Sequence, residues 1–191
     1  MIDGEVIWQP SAERVAAAAL TAFRERLGAA HGVDLTSYAA LHAFSVDRMA
    51  DFWSEVWDFC AVVGDKGGRT VEGTGLRSTS FFPDASLNFA ENLLRRSDET
   101  PAILFRSEDG RHRKLTWHEL SAEVARLARA LSAAGVQPGD RVAGWLPNVP
   151  EAYITMLAAA TIGAVYSSTS PDFGVSGVLD RFAQIAPKVL V

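Results

Sequence analysis

Residues 166–191 read YSSTSPDFGVSGVLDRFAQIAPKVLV. The stretch breaks into a strand end, a hydroxyl-rich turn, a helix over 175–186 and a further strand over 188–191. Val189, Leu190 and Val191 suit a buried parallel strand, which needs neighbours on both sides. The reading therefore predicts the front portion of a larger protein, with an α/β layer whose sheet continues into other segments.

Working backward from that stretch, strands and helices alternate as far as residue 101. A strand at 164–168 follows a nearly all-apolar helix at 151–161, which predicts burial on more than one side. Asn148 and Glu151 have the spacing of a capping box before that helix. Gln137-Pro138-Gly139-Asp140 turns into a strand over 141–146. Upstream, Leu120, Val124, Leu127, Ala128 and Leu131 line one helix face, and Gly135 ends the helix. Thr116 and Glu119 form a capping box at its start. Strands at 102–107 and 113–117 flank Asp109-Gly110, a strong hairpin signal. Short loops between alternating strands and helices imply parallel strands joined by crossovers.

Residues 1–97 differ in character. They read as a helical, irregular lead-in rich in Trp and Phe, while residues 98–191 read as an incomplete α/β subdomain. Pro10-Ser11 opens a helix expected to run to residue 27, with Val15, Ala19, Phe23 and Leu27 on one face. A second helix is expected over 46–63, with a stripe of Met49, Trp53, Val56, Trp57 and Cys60. The glycine-rich stretch GDKGGRTVEGTG at 64–75 lacks the Gly-x4-Gly-Lys-Ser/Thr order of a phosphate cradle and reads as a loop. Gly73-Thr74-Gly75 likewise lacks the third glycine of a dinucleotide fingerprint.

Hydrophobic residues make up 48% of the 191 residues and charged residues 21%, the balance of a globular chain. A net charge of −5 argues against general nucleic-acid binding. Cys60 is the single cysteine, so no internal disulfide forms; its apolar setting reads as a packed core thiol. No apolar run reaches the roughly 20 residues that span a bilayer, and residues 1–10 lack the order of a signal peptide. A cytoplasmic location without membrane attachment is the expectation. The four histidines sit beside no nucleophile or metal set, and no GxSxG, HExxH or CxxC spacing occurs.

The block KLTWHELSAEVARLARALSAAGVQPGDRVAGWLPNVPEAYITMLAAATIGAVYSS at 114–168 resembles the front of the adenylate-forming acyl-CoA synthetases. FFPDASLNFAENLL at 81–94 is similar to the lead-in of their acetyl- and acetoacetyl-CoA branches. WSEVWDF at 53–59, YSSTSPDFGV at 166–175 and VLDRFAQIAPKVL at 178–190 are similar to the acetoacetyl-CoA branch. Where the acetate branch carries a glycine-rich FGGF-type turn, this chain has Ser170-Pro171-Asp172-Phe173.

The resemblance implies an acid–thiol ligase that joins acetoacetate to ATP as an acyl-adenylate, with release of pyrophosphate, then transfers the acyl group to CoA. ATP, CoA and Mg²⁺ are the implied cosubstrates and cofactor, and the rest of the same polypeptide is the implied partner. A synthetase for acetate or propionate, or a truncated non-catalytic binding module, stands as the alternative. Tyr166-Ser167-Ser168-Thr169-Ser170 imitates the opening of the family's phosphate loop, but Pro171-Asp172 follows without the glycines or lysine. No residue of this chain is expected to be catalytic or to bind metal; the ribose aspartate, the hinge and the late catalytic lysine are expected beyond residue 191. By position, Ser170, Pro171, Asp172 and Phe173 match the turn that lies near the nucleotide end of CoA, beside a helix N-terminus suited to phosphate. Two readings of that turn stand: a wall of the CoA site, or a helix-capping turn in which Ser170 and Asp172 bond nearby amides and Phe173 packs. Arg181 is expected to form a surface or intrahelical ion pair.

Overall fold

The computed structural model describes residues 6–191, which belong to two compact units, residues 1–86 and residues 87–191.

In the first unit, α1 (Ala12–Ala16) starts at Ser11, whose hydroxyl accepts from Arg14 N at 3.2 Å. The single helix expected to residue 27 is broken, because Ala18 is extended and α2 (Ala19–His31) begins anew. Thr21 Oγ1 donates to the Val15 carbonyl at 2.6 Å and satisfies a group the break exposes. Gly32, at φ +64°, ends α2 in the left-handed conformation. Of the predicted face, Phe23 and Leu27 are buried while Val15 and Ala19 are exposed.

A helix missed by the sequence, α3 (Tyr38–Asp47), is capped by Ser37 and separated from α4 (Met49–Phe59) by Arg48. The expected helix over 46–63 therefore starts later and ends earlier. Phe23, Leu27, Leu35, Leu41 and Phe44 form the unit's buried cluster, with Phe52, Val56 and Phe59 of α4 against it. Phe23 meets Phe52 and Phe59 edge-on at 5.6 and 5.2 Å. Trp53 and Trp57 turn instead toward Phe81 and Phe82. Cys60 is exposed rather than packed: α4 ends at Phe59, and Ala61 takes a left-handed turn (φ +50°) just where the stripe was extrapolated. Within the expected loop, β1 (Val71–Glu72) pairs antiparallel with β2 (Ser80–Phe81). Arg69 reaches Asp84 and Glu72 beside them.

The second unit follows the sequence reading more closely. After the short α5 (Phe89–Leu93), β3 (Pro101–Arg106) and β4 (His112–Thr116) form an antiparallel hairpin whose turn uses Gly110 at φ +87°. The capping box opens α6 (Trp117–Ala133): Glu119 N donates to Thr116 Oγ1 at 3.2 Å, and Thr116 N to Glu119 Oε2 at 2.8 Å. Three strands, β5 (Arg141–Trp145), β6 (Val165–Thr169) and β7 (Val189–Leu190), form a parallel sheet in the order β6-β5-β7. The crossovers are α7 (Pro150–Thr161) and α8 (Gly174–Ala183).

Adjacent residues of β5 point to opposite faces. Val142 joins the cluster of α6 and α7, with Val124, Leu131, Ile154 and Leu157, whereas Ala143 joins Val178 and Phe182 of α8. The two crossover helices thus cover opposite faces of the sheet, as in a doubly wound fold. α7 is buried along much of its girth, through Pro150, Ile154, Thr155, Leu157, Ala158 and Ala159. Its N-cap is Val149, with no side-chain bond, not Asn148. Pro150 at the first helical position brings a preset φ and no N–H of its own to satisfy, which favours a helix start there. No helix among the described residues is long and apolar enough to cross a membrane.

Candidate functional site

In open α/β sheets, ligands bind outside the carboxyl ends of the strands. β5 and β6 run in register, Trp145 opposite Thr169, so the loops after both leave from the same end of the sheet. Between them lies a cleft of ≈550 Å³. Leu146, Pro147 and Asn148 line it from the loop after β5, and Ala152, Tyr153 and Met156 from the first turns of α7. Tyr166, Ser168 and Thr169 of β6, then Ser170, Phe173 and Arg181, form the remaining lining.

The floor depends on a glycine. A Cβ on Gly144 would meet Tyr166 Oη at 2.2 Å, so only glycine lets the phenol lie across β5. That hydroxyl is buried without a hydrogen-bond partner among the described residues. Burial raises the Tyr166 pKa above its ordinary value, against the opposing pull of the neighbouring Ser168 hydroxyl, which stands outside full hydrogen-bond geometry. The phenol is therefore a neutral polar group at the base of the cleft.

The turn after β6 is a single 3₁₀ turn, Pro171–Phe173, opened by Ser170. Ser170 Oγ accepts from Asp172 N at 3.3 Å and donates to an Asp172 carboxylate oxygen at 2.7 Å. Its bonds are those of a capping turn. Phe173 departs from that picture: it is 51% exposed, and the Arg181 guanidinium lies 3.9 Å from its ring centroid. Arg181 forms no ion pair among the described residues, contrary to the expected surface or intrahelical pair; its Nη1 donates to the Gly177 carbonyl at 3.1 Å. The sequence signal for this contact is the spacing of four between Phe173, Gly177 and Arg181, with glycine in the middle. Glycine inside a helix costs about 1 kcal/mol against alanine. Here a Cβ would stand 3.0 Å from Phe173 Cβ and 3.2 Å from Arg181 Nη1.

Two of the lysines are engaged elsewhere. Lys66 donates to both Asp58 carboxylate oxygens at 2.9 Å and to the Ser54 carbonyl. Lys188 pairs with Asp140 at 2.8 Å and bonds the Gly135 carbonyl, tying β7 to the turn before β5. Lys188 holds the Asp140 carboxyl below the usual range, with help from Gln137 N. Among the described residues no group of three His, Cys, Asp or Glu side chains is placed to hold a metal ion.

A parallel sheet with crossover helices on both faces and a hydroxyl-lined cleft at its strand ends has the ligand-site geometry of open α/β folds. The family model described as "AMP-binding enzyme" matches residues 89–191, and the chain belongs to that family. Among its relatives, the acetoacetyl-coenzyme A synthetase of Rhizobium meliloti (strain 1021) is 46% identical over 97% of this chain, and the match covers 29% of that protein. The acetoacetyl-CoA synthetase of Macaca fascicularis is 42% identical over 100% of this chain and 29% of its own length. The structure of acetoacetyl-CoA synthetase from Streptomyces lividans superposes with a TM-score of 0.89 at 42% identity, over 98% of this chain and 30% of that one. The chain thus spans less than a third of the length of these relatives. The family is the one that the blocks at 81–94 and 114–168 resemble.

Proposed function

We propose that this chain is the N-terminal part of an acid–thiol ligase that converts acetoacetate, ATP and CoA to acetoacetyl-CoA, AMP and pyrophosphate. The observation that carries the reading is the likeness to the Streptomyces lividans acetoacetyl-CoA synthetase along nearly the whole chain. In such a reaction the acid's carboxylate attacks the α-phosphorus of ATP, and the CoA thiol then displaces AMP from the acyl-adenylate. Mg²⁺ would neutralise charge on the transferring phosphates. Residues 1–97 are the helical lead-in, and residues 98–191 an incomplete α/β subdomain of the large N-terminal domain. The acyl pocket, the ATP loop and the catalytic lysine belong to the rest of the same polypeptide, and the complete enzyme works in the cytoplasm.

Ser170, Pro171, Asp172 and Phe173 form one wall of the CoA site on this reading. Their place at the carboxyl end of β6, on the rim of the cleft, supports the assignment. The wall acts through shape, because the Ser170 hydroxyl and the Asp172 carboxylate are occupied with each other.

The test is exchange of pyrophosphate into ATP by the complete enzyme, with acetoacetate, acetate and propionate compared. Acetoacetate is expected to support the fastest exchange. Faster exchange with acetate or propionate would reassign the acid, and no exchange with any of them would overturn the reaction. The 191-residue chain alone is expected to give no exchange above a protein-free blank.

A further inference from the structure

Among the described residues, Arg181 is the one cation in the lining of the cleft, and that lining contains no carboxylate. Asp172, beside the cleft in the preceding turn, directs a carboxylate oxygen to Ser170 Oγ and makes no ion pair with Arg181. The guanidinium lies on Phe173, 3.9 Å from the ring centroid, with Nη1 on the Gly177 carbonyl. A guanidinium held by its face keeps its remaining N–H edge for a ligand, in the planar fork that matches phosphate. Gly177 keeps the path between Phe173 and Arg181 open, since a Cβ would crowd both. Ser168 and Thr169 bring further hydroxyls to the same cleft.

We propose that Arg181 binds a phosphate of CoA in this cleft, with Phe173 and Gly177 as its positioning residues. The proposal rests on the reading that the turn over 170–173 faces CoA. CoA offers phosphate from two places, its 3′-phosphate and its pyrophosphate bridge, and the chemistry of recognition is the same for both.

The test uses the complete enzyme, as wild type, Arg181→Ala, Arg181→Lys and Phe173→Leu. Thioester formation is measured against CoA and against dephospho-CoA, and pyrophosphate exchange, which needs no CoA, reports an intact first half-reaction. Arg181→Ala is expected to raise the KM for CoA roughly tenfold, the weight of a charge-assisted hydrogen bond, and to leave exchange and the KM for ATP unchanged. Arg181→Lys should restore part of the loss, because it keeps the charge without the stacked fork. Phe173→Leu should fall between wild type and Arg181→Ala. A loss that disappears with dephospho-CoA assigns Arg181 to the 3′-phosphate, and a loss that persists assigns it to the pyrophosphate. An unchanged KM for CoA, or a rise confined to ATP, overturns the proposal. Should Arg181→Ala lose exchange as well, Arg181→Lys decides: a CoA-specific rise supports the proposal and none overturns it. A wild type without exchange on acetoacetate, acetate or propionate refutes the reaction proposed above. Calorimetric CoA binding then judges Arg181 by itself: weaker binding in Arg181→Ala supports the proposal, and equal binding, or none in the wild type, overturns it.

Discussion

The two units of this chain reach order by different routes. Residues 87–191 surround a thirteen-residue buried cluster drawn from hairpin, helices and parallel sheet. Among the described residues of the first unit, the buried cluster has five members, supplemented by edge-on Phe contacts and by ion pairs such as Arg69–Asp84 and Lys66–Asp58. Exposed ion pairs contribute roughly 0–1 kcal/mol each, so they are poor substitutes for apolar burial. The second unit also carries the cleft, because parallel strands in register end together and leave a crevice where their loops part. Short irregular segments such as β1 and β2 create no such edge. A large shared core and a cleft therefore come from the same feature, the repeated strand-helix crossover.

The sharpest way to break this contrast is to cut a cavity in each core. Leu157→Ala, in the larger cluster, is expected to cost about 3–5 kcal/mol, because packing on all sides resists collapse. Leu27→Ala, in the smaller cluster, is expected to cost about 2–3 kcal/mol, since fewer neighbours hold the cavity open. Urea unfolding of the two variants compares them, and an equal or reversed order contradicts the contrast. Amide hydrogen exchange sharpens the same point without mutation. The slowest amides should lie in β5 and in α7 near Leu157, with α1 and α2 exchanging sooner. Uniform protection along the chain would count against it.

Caps offer a smaller test. Thr116→Ala removes one half of a reciprocal capping box and should cost about 1–2 kcal/mol, against about 0.5–1 kcal/mol for Ser37→Ala, which removes a single bond. Equal losses in thermal melts would show that the reciprocal bond adds nothing.

The smallest expected effect is electrostatic. A hydrogen bond from Arg96, aided by Thr100, pulls the Asp98 carboxyl from 3.8 to about 2. Asp34, in the first unit, is lowered by Thr36 through its backbone and hydroxyl, with Arg24 a minor influence. Both shifts are downward, so each contribution to stability is present above the unfolded value of 3.8 and fades as pH falls through the folded value. For Asp98 that window runs from about 4 to about 2. NMR titration should place Asp98 below Asp34, and Arg96→Gln should return Asp98 toward 3.8. An Asp98 that titrates at its ordinary value in the wild type would refute the bonding described.

What the sequence disclosed follows the same divide. Local chemistry was legible: Asp109-Gly110 gave the hairpin, Thr116 and Glu119 gave the capping box, and the apolar run at 151–161 gave a buried helix. α3 was missed because YAALHAFSVD is apolar on several sides and shows no helical stripe, although Ser37 marked its start. The break at Arg48 and the left-handed Ala61 that follows the end of α4 beside Cys60 are single-residue backbone events, which no periodicity reveals. At the cleft, the bond from the Asp172 amide to Ser170 followed from residue type, but the Asp172 carboxylate takes the Ser170 hydroxyl rather than an amide. The Phe173–Arg181 stack required the 3₁₀ turn to enter α8 at a particular angle. The Tyr166–Gly144 contact depends on the register of β5 with β6, a long-range fact.

The most direct test of the account is a crystal structure of the complete enzyme with CoA and a non-hydrolysable acetoacetyl-adenylate analogue. The account predicts the nucleotide end of CoA against Ser170 to Phe173, with a phosphate oxygen within hydrogen-bond reach of Arg181 and the guanidinium still on the Phe173 ring. CoA bound elsewhere, with this turn bare and Arg181 turned to solvent, would contradict it.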